Sequence, residues 1–287
     1  MASTRNSPQA DPALMLDSIR GVDAMMEALA TALAEHAPHA MRIAVALSGG
    51  RDSMALLDVA ALWSTKRGTL LSAIHVHHGL SPNADDWAQF CAKACAERDI
   101  AFTVRRVHVE TCARASLEAT ARRMRYAALR DAAIEAGIDV VLLAHHQDDQ
   151  AETLLLQLAR GAGPHGLASM PVARRDGPIV WLRPMLGVTR AAIEAYARAR
   201  AFEWVDDESN VNTRFRRNAW RHRIIPLIAS VASGYPATVA RAAEHQADAA
   251  HLLDELALLD AGTGYDGSSL TRSTLQALSR SRAGNLL

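Results

Sequence analysis

The stretch from Val45 to Ser53 constrains the fold of this chain more than any other feature. Its sequence is V-A-L-S-G-G-R-D-S, an apolar run that ends in two hydroxyls, two glycines and a charged pair, and a helical pattern follows from Met54. Glycines let the backbone approach a ligand closely, and a helix N-terminus favours an anion. The lysine of a Walker-type phosphate loop is missing. We therefore predict an anion site here, against the alternative of a glycine-rich turn with polar caps.

Strands and helices alternate on either side of this loop. This order predicts a doubly wound α/β fold with a parallel sheet, followed by a helical extension. Ligands in such folds lie at the carboxyl ends of the strands, which here are rich in glycine and histidine. The predicted strands span residues 41–47, 70–76, 101–109, 139–144 and 179–182, and the main predicted helices span 18–35, 85–98, 116–136, 148–160, 190–200 and 237–259.

Composition excludes some classes of protein. No apolar run approaches the ~20 residues that a membrane helix needs, and the polar N-terminus lacks the apolar core of a signal peptide. The chain has only three cysteines, which favours a reducing cytoplasm, and Cys91 and Cys95 share a helical face typical of core packing. Net charge is zero, but nearly all the basic residues are arginines in clusters. Such clusters permit an RNA-binding face or are solvated helix surfaces.

A second motif, A-H-H-Q-D-D-Q-A-E-T, spans residues 144–153 at the end of a predicted strand. Asp148 and Glu152 are four residues apart and share a helix face, so they suit Mg²⁺ or the amino groups of a cationic substrate. Helix capping is the simpler explanation for Asp148 and Asp149. It explains neither Glu152 nor the two histidines at the strand end, so we favour a functional site.

Three further groups of polar residues accompany these motifs. His75 and His77 end the second strand without zinc-ligand spacing, and with His145 they are predicted to contact a nucleotide. Arg122 and Arg125 share a helix stripe with Glu118, as a salt bridge or a phosphate-facing pair. Later, Arg217, Asn218 and Arg221 form part of a basic helix predicted to stop at Pro226.

The motifs together carry a family resemblance. S-G-G-R-D-S resembles the signature of the PP-loop ATP pyrophosphatases. The full set over residues 40–226 resembles the tRNA(Ile)-lysidine synthases, and it comprises S-G-G-R-D-S, H-V-H-H-G-L, E-x-x-A-R-x-x-R-Y, H-H-Q-D-D-Q-A-E-T, R-G-x-G-x-x-G-L, R-P-M-L and D-E-S-N…R-R-N-x-x-R. The resemblance implies that the C2 carbonyl oxygen of the wobble cytidine of tRNA(Ile) with a CAU anticodon attacks the α-phosphate of ATP and releases pyrophosphate. Free L-lysine then displaces AMP to form lysidine.

The resemblance also implies roles for individual residues. ATP binding falls to Ser48, Gly49, Gly50, Arg51, Asp52, Ser53, His75, His77 and His145. Catalysis falls to Asp52, Arg122, Asp148 and Glu152, with Mg²⁺ on Asp52 and Asp148 and lysine on Asp148 and Glu152. Contacts to tRNA fall to Arg125, Arg217, Asn218 and Arg221.

The expected organisation is a disordered tail at 1–17, a catalytic domain at 18–232 and a helical segment at 233–287, which we expect to begin a truncated C-terminal domain. A glycine-rich loop at residues 161–166 is a candidate lid. Two alternatives remain. A tRNA 2-thiocytidine synthase would need C-x-x-C pairs, which the sequence lacks. A regulatory module that only binds ATP would not need Asp148 and Glu152.

Overall fold

The computed structural model describes residues 12–79, 81–108, 117–206, 216–262, 265 and 269–287. Six strands form one sheet in the order β3-β2-β1-β4-β6-β5. All neighbours are parallel except β5 and β6, which form an antiparallel hairpin at one edge. The strands are β1 (Arg42–Ala46), β2 (Leu70–His77), β3 (Ala101–Arg106), β4 (Val140–Leu142), β5 (Ala173–Asp176) and β6 (Ile179–Leu182).

Helices cover both faces of the sheet and form the region after residue 216. A short 3₁₀ helix at Pro184–Gly187 follows β6, and a π-helical turn at Trp220–Ile224 joins two helices. The α-helices are α1 (Pro12–His36), α2 (Arg51–Arg67), α3 (Ala84–Ala96), α4 (Leu117–Glu135), α5 (Gln147–Leu158), α6 (Pro164–Leu167), α7 (Arg190–Ala199), α8 (Arg216–Ala219), α9 (Ile225–Val231), α10 (Tyr235–Ala261), α11 (Arg272–Ala277) and α12 (Arg280–Leu286).

The sheet is buried on both faces, as the apolar strands predict. On one face Ile43 and Val45 pack among residues of α1, α2, α3 and α7, and Cys91 and Cys95 of α3 belong to this core. On the other face Ala44 packs with residues of α4. The doubly wound α/β architecture is thereby confirmed. Since β1 lies between β2 and β4, the carboxyl ends of these strands meet at the crevice where such folds bind ligands.

One edge strand was missed and three local predictions were wrong. The sheet is mixed, because the hairpin strand β5 adds an antiparallel edge that its polar sequence A-R-R-D concealed. Residues 12–17 belong to α1 and not to a tail, while residues 1–11 lie outside the described range. The predicted lid contains α6, which packs against α10. The chain stays helical beyond Pro226, because a proline in the first turn of α9 loses no hydrogen bond there.

None of the described helices is long and apolar enough to cross a membrane. The predicted boundary near residue 233 coincides with a break between α9 and α10. Helix α10 nevertheless packs extensively against α5 of the preceding segment. The division into two domains stays a prediction.

Candidate active site

The loop between β1 and α2 needs glycine at one position. Gly49 has a φ of 86°, a left-handed conformation that other residues adopt at a cost. A Cβ atom there would lie 3.1 Å from Cys91 Sγ and 3.2 Å from Val205 Cγ2. The Val205 N–H also donates to the Gly49 carbonyl at 3.0 Å, so the segment after α7 fixes the loop from the outside. The close approach predicted for the two glycines is thus needed for packing within the protein as well.

Two serine hydroxyls hold the loop in shape. The Ser48 N–H donates to Ser53 Oγ at 3.2 Å, and Ser53 Oγ donates to the Gly50 carbonyl at 2.9 Å. The Gly50 N–H donates to Ser48 Oγ at 3.3 Å, and the two hydroxyl oxygens are 3.0 Å apart. Both hydroxyls are therefore hydrogen-bonded within the loop. Helix α2 begins at Arg51, so its N-terminal dipole points at the cavity beside the loop.

Asp52 is an ionised carboxylate in the first turn of α2. Arg51 Nη2 lies 2.8 Å from Asp52 Oδ1, and His146 Nε2 lies 3.5 Å from Asp52 Oδ2. Burial raises the pKa of Asp52, but hydrogen bonds and charges from His146 and Arg51 outweigh burial and lower it to about 2. Asp52 therefore carries its negative charge at any physiological pH.

A cavity of about 390 Å³ opens at the carboxyl ends of β1, β2 and β4. Two tryptophans, Trp87 and Trp204, are among the residues that line it. Of the residues predicted from the sequence, those that line it are Ser48, Gly50, Arg51, Asp52, Ser53, His75, His77, Arg125, His145 and Arg221. The fold therefore brings most of the predicted nucleotide contacts into one cavity.

His146 lies between the two carboxylates that were predicted to hold Mg²⁺. Its Nε2 is 3.5 Å from Asp52 and its Nδ1 is 3.7 Å from Asp148 Oδ2. Asp148 Oδ2 also accepts a hydrogen bond from the Arg190 N–H at 3.0 Å. Because an imidazole ring separates them, Asp52 and Asp148 are not brought together as a pair of metal ligands. Only Asp52 of the two lines the cavity.

Asp148 and Glu152, the two carboxylates predicted to bind lysine, have different partners. Glu152 is buried and forms ion pairs with two arginines, with Arg217 Nε at 3.0 Å from Oε2 and Arg221 Nε at 2.6 Å from Oε1. Asp149 Oδ1 accepts from the same two side chains, at 2.8 Å from Arg217 Nη2 and 3.4 Å from Arg221 Nη2. Two carboxylates and two guanidiniums thus form a four-charge cluster with no net charge. Asp148 lies outside it.

The predicted histidines differ in their surroundings. His75 Nδ1 lies 2.8 Å from the Leu47 carbonyl, and burial lowers its pKa. His77 Nε2 lies 3.3 Å from Asp85, on the rim. Burial lowers the pKa of His145 well below 6.5, and Arg183, Arg125, Arg122 and Arg217 lower it further. His145 is therefore a neutral imidazole among cations. Burial lowers the pKa of His146 too, but Asp52, Asp149 and Asp148 raise it more, so the net shift is upward.

Besides Gly49, Asp148 and Glu152, three further predicted residues lie outside the cavity lining. Arg217 reaches the site only through the four-charge cluster, and Asn218 follows it in α8 as a half-buried residue. Arg122 lies on the far side of Arg125, against the ring of Tyr126, with its Cζ 5.2 Å from the ring centroid. The structure therefore does not place Arg122 at the cavity where catalysis was predicted.

Comparison with known proteins identifies the family to which this loop and strand order belong. The family model described as the PP-loop domain matches residues 23–228. The chain belongs to the PP-loop domain family. A solved U34-tRNA thiolase, NcsA from Methanococcus maripaludis with its [4Fe-4S] cluster, shares 15% sequence identity at a TM-score of 0.64, with 90% of this chain and 88% of that chain covered. At this identity the likeness concerns the fold alone.

Two curated relatives share far more sequence with this PP-loop protein. The tRNA(Ile)-lysidine synthase of Chromobacterium violaceum is 46% identical over 261 residues, which cover 88% of this chain and 59% of the relative. That of Ralstonia nicotianae is 49% identical over 245 residues, which cover 84% of this chain and 52% of the relative. The chain therefore spans only a little over half the length of these relatives.

The PP-loop site contains residues that the sequence interpretation missed. Asp149 was explained as a helix cap, and it does accept from the His146 N–H at 3.2 Å, yet its other oxygen belongs to the four-charge cluster. Arg190 lines the cavity from the start of α7. Tyr235, the first residue of α10, has a pKa raised by burial and by the charges of Asp148 and Glu152. Nothing in the local pattern at Arg190 or Tyr235 signals the site.

Proposed function

We propose that this chain carries the catalytic part of a tRNA(Ile)-lysidine synthase. The observation that carries the proposal is the meeting of a PP-loop, ionised Asp52 and the four-charge cluster of Asp149, Glu152, Arg217 and Arg221 around one cavity. The names of relatives up to 49% identical support the same activity. Since the chain spans only part of those relatives, its activity, substrates and partners are proposals.

The first step joins the wobble cytidine of tRNA(Ile) to ATP. The C2 carbonyl oxygen attacks the α-phosphate, and the bond to the bridging oxygen of the β-phosphate breaks to release pyrophosphate. The N–H groups of the loop, the N-terminus of α2 and the Arg51 guanidinium would stabilise the charge that develops on the leaving group. The target base must leave the anticodon stack to enter the cavity, which Trp87 and Trp204 line.

In the second step the ε-amine of free L-lysine attacks C2 and AMP leaves. Glu152 and Asp148 remain our proposed lysine ligands, and we add Asp149. The ammonium group would replace a guanidinium of the four-charge cluster, and the displaced arginine would be free to face a phosphate. Only the neutral amine attacks, so a carboxylate must accept its proton.

Mg²⁺ is the remaining proposed cofactor. No group of three or more His, Cys, Asp or Glu side chains that could hold a metal occurs in the described part of the chain. A Mg²⁺ that is bound mainly by nucleotide phosphates needs only one or two carboxylates, and ionised Asp52 fits that requirement. When bound, the ion would neutralise charge on the phosphates. His146 would keep Asp52 oriented toward the cavity.

The rival thiolation chemistry has little support from the described cysteines. Burial raises the pKa of Cys91 to about 12 and that of Cys95 to about 11. Both side chains therefore remain protonated thiols, and sulfur transfer needs thiolates. Cys112 lies outside the described residues.

The proposal is tested by measuring the incorporation of lysine into RNA. The full chain is incubated with ATP, Mg²⁺, radiolabelled lysine and a tRNA(Ile) transcript with a CAU anticodon. A transcript with guanosine at the wobble position serves as the matched control. We expect pyrophosphate release that depends on the CAU transcript, and acid-insoluble lysine only when ATP is present. Pyrophosphate release that ignores RNA would overturn the proposal.

A further inference from the structure

A groove rich in arginine lies between helix α4 and the β5–β6 hairpin, next to the active-site cavity. It has a volume of about 460 Å³. We name it the arginine groove and define it by Arg122, Arg123, Tyr126, Arg130, Arg174 and Arg183. Asp176 is the only carboxylate among the described residues that line it.

Tyr126 is the centre of the groove. Its ring packs against Trp181 of β6 at a centroid distance of 5.0 Å. The Cζ atoms of Arg122, Arg125 and Arg174 lie 5.2, 5.7 and 6.0 Å from the same ring centroid. An aromatic ring can hold several guanidiniums by its face without neutralising them. The arginines are therefore fixed in place while their charges remain available to an anion.

Arg183 gives the groove a buried cationic floor. Its side chain is only 5% exposed, and its Nη1 donates to the Pro171 carbonyl at 2.9 Å. Its Nε is buried without a hydrogen-bond partner among the described residues. Arg174 reaches a carboxylate only at the long distance of 3.8 Å, to Asp176. Positive charge thus exceeds negative charge in a concave, partly buried site, and guanidiniums of this kind suit phosphate.

The groove and the catalytic cavity share a wall. Arg125 lines the cavity, while its guanidinium lies against Tyr126 in the groove. His145 lies in the cavity wall, and burial is the main cause of its lowered pKa. The positive charges of Arg183 and Arg122 lower that pKa further. A strand of RNA that places one base in the cavity must continue along the surface immediately outside it.

We propose that the arginine groove binds backbone phosphates of the RNA strand next to the target nucleotide. This inference rests on the proposed function, because it assumes an RNA substrate. The chemistry is recognition of phosphodiesters by arginine, without base contacts, so it fixes the register of the strand and carries no sequence preference. The antiparallel strand β5 contributes Arg174 to this surface.

Neighbouring residues of β5 provide a matched pair of variants. Arg174 pairs with Trp181 in the hairpin and lies on the face that α4 covers, whereas Arg175 pairs with Val180 and lies on the opposite face. Both side chains are exposed, and each change to glutamine removes one charge. Binding of a fluorescein-labelled tRNA(Ile) transcript to the full chain is measured by anisotropy over a series of KCl concentrations. No lysine or turnover is needed.

We expect R174Q and R122Q each to weaken RNA binding by up to about tenfold, and to reduce the slope of log affinity against log salt by about 0.7 to 1. R175Q should stay within about twofold of the parent chain. Binding of ATP and of inorganic pyrophosphate, titrated separately, should not change in R174Q or R175Q.

Equal effects of R174Q and R175Q on RNA binding would overturn the proposal, since the total charge of the protein and not the groove would then determine affinity. Loss of pyrophosphate binding with unchanged RNA binding would also overturn it, since the groove would then hold free phosphate. Failure of the proposed function is a different outcome. A chain that binds RNA through Arg174 but never incorporates lysine would refute lysidine formation and leave the groove intact.

Discussion

Arg221 holds Glu152 with two hydrogen bonds, from Nε to Oε1 at 2.6 Å and from Nη2 to Oε2 at 2.8 Å. A fork of this kind aligns two planar groups and is stronger than a single contact. It joins helix α5 to the π-helical turn after α8, and π-helical turns occur often at functional sites. The pair therefore links α5, whose carboxylates we propose as lysine ligands, to the segment that we propose to face the tRNA.

Loss of Glu152 should destabilise the fold. In Glu152→Ala the guanidiniums of Arg217 and Arg221 keep only Asp149 as a described carboxylate partner, in a partly buried place. We expect the free energy of unfolding to fall by about 2 kcal/mol or more, measured by urea denaturation. Glu97→Ala removes an exposed carboxylate at the C-cap of α3 and should change the free energy of unfolding by less than about 0.5 kcal/mol. Equal losses in both variants would contradict the role of the cluster.

The same position tests the lysine site. Glu152→Gln keeps the shape and removes the charge, so the ε-ammonium of lysine loses attraction while ATP does not. We expect the KM for lysine to rise at least tenfold and the KM for ATP to change less than threefold, from initial rates of lysine incorporation. Equal rises in both values would place Glu152 outside the lysine site.

Asp52 makes stability depend on pH at the acid end. Its pKa falls from 3.8 to about 2 on folding, so its contribution is complete above pH 3.8 and is lost as the pH falls toward 2. The side chain is 32% exposed, so we expect the contribution to be about 1–2 kcal/mol. In Asp52→Asn the free energy of unfolding should depend less on pH between pH 4 and pH 2, roughly the interval set by this shift.

The same variant should abolish pyrophosphate release. Adenylation of tRNA by Asp52→Asn would remove Asp52 from the site.

His146 makes the stability of the fold depend on pH in the opposite sense to Asp52. Its pKa is raised above 6.5, so the protonated ring contributes stability that is complete below pH 6.5 and is lost as the pH rises through the pKa of the folded protein. NMR titration of the ring protons should show a midpoint above 6.5 in the parent chain and a lower one in Asp52→Asn. An unchanged midpoint would show that Asp52 does not hold the proton on His146.

Gly49 and Gly50 offer adjacent substitutions with different expected results. Gly49→Ala places a Cβ on a residue with a φ of 86° and 3.1 Å from Cys91 Sγ, so we expect a loss of about 2 kcal/mol and weaker ATP binding. Gly50 has an extended backbone with φ at −70°, and its Cβ would meet Ser48 Oγ at 3.4 Å, an ordinary contact. Gly50→Ala should change stability by less than about 0.5 kcal/mol. Denaturation and ATP titration of both variants check the contrast.

The parts of the site that the sequence predicted are the local ones. The PP-loop from Ser48 to Ser53 was recognisable from adjacent residues, and its placement at a strand end follows from the apolar run before it. Burial of Cys91 and Cys95 followed from their spacing on one helix face. These features need no knowledge of how distant segments meet.

The parts that escaped prediction depend on long-range contact. One oxygen of Asp149 caps its helix, as the sequence predicts. The other oxygen pairs with Arg217, which is 68 residues later in the chain, so the local sequence gives no sign of this contact. Strand β5 has a polar sequence and gains its place by pairing with β6, although the Asp176-Gly177 step was a signal for a hairpin. Asp148 and Glu152 share a helix face as predicted, yet their neighbours give them different partners.

Helix α10 begins where the sequence suggested that one domain ends. Its first residue, Tyr235, is buried close enough to Asp148 and Glu152 for both carboxylates to raise its pKa, and its body lies along α5. At the other end, Asn285 of α12 donates to the Leu253 carbonyl. The 27 residues of α10 extend about 40 Å at 1.5 Å per residue, so the helix is a long rod with one end beside the candidate active site. A displacement of α12 relative to the sheet would therefore be carried along this rod toward Asp148 and Glu152, which we propose as lysine ligands.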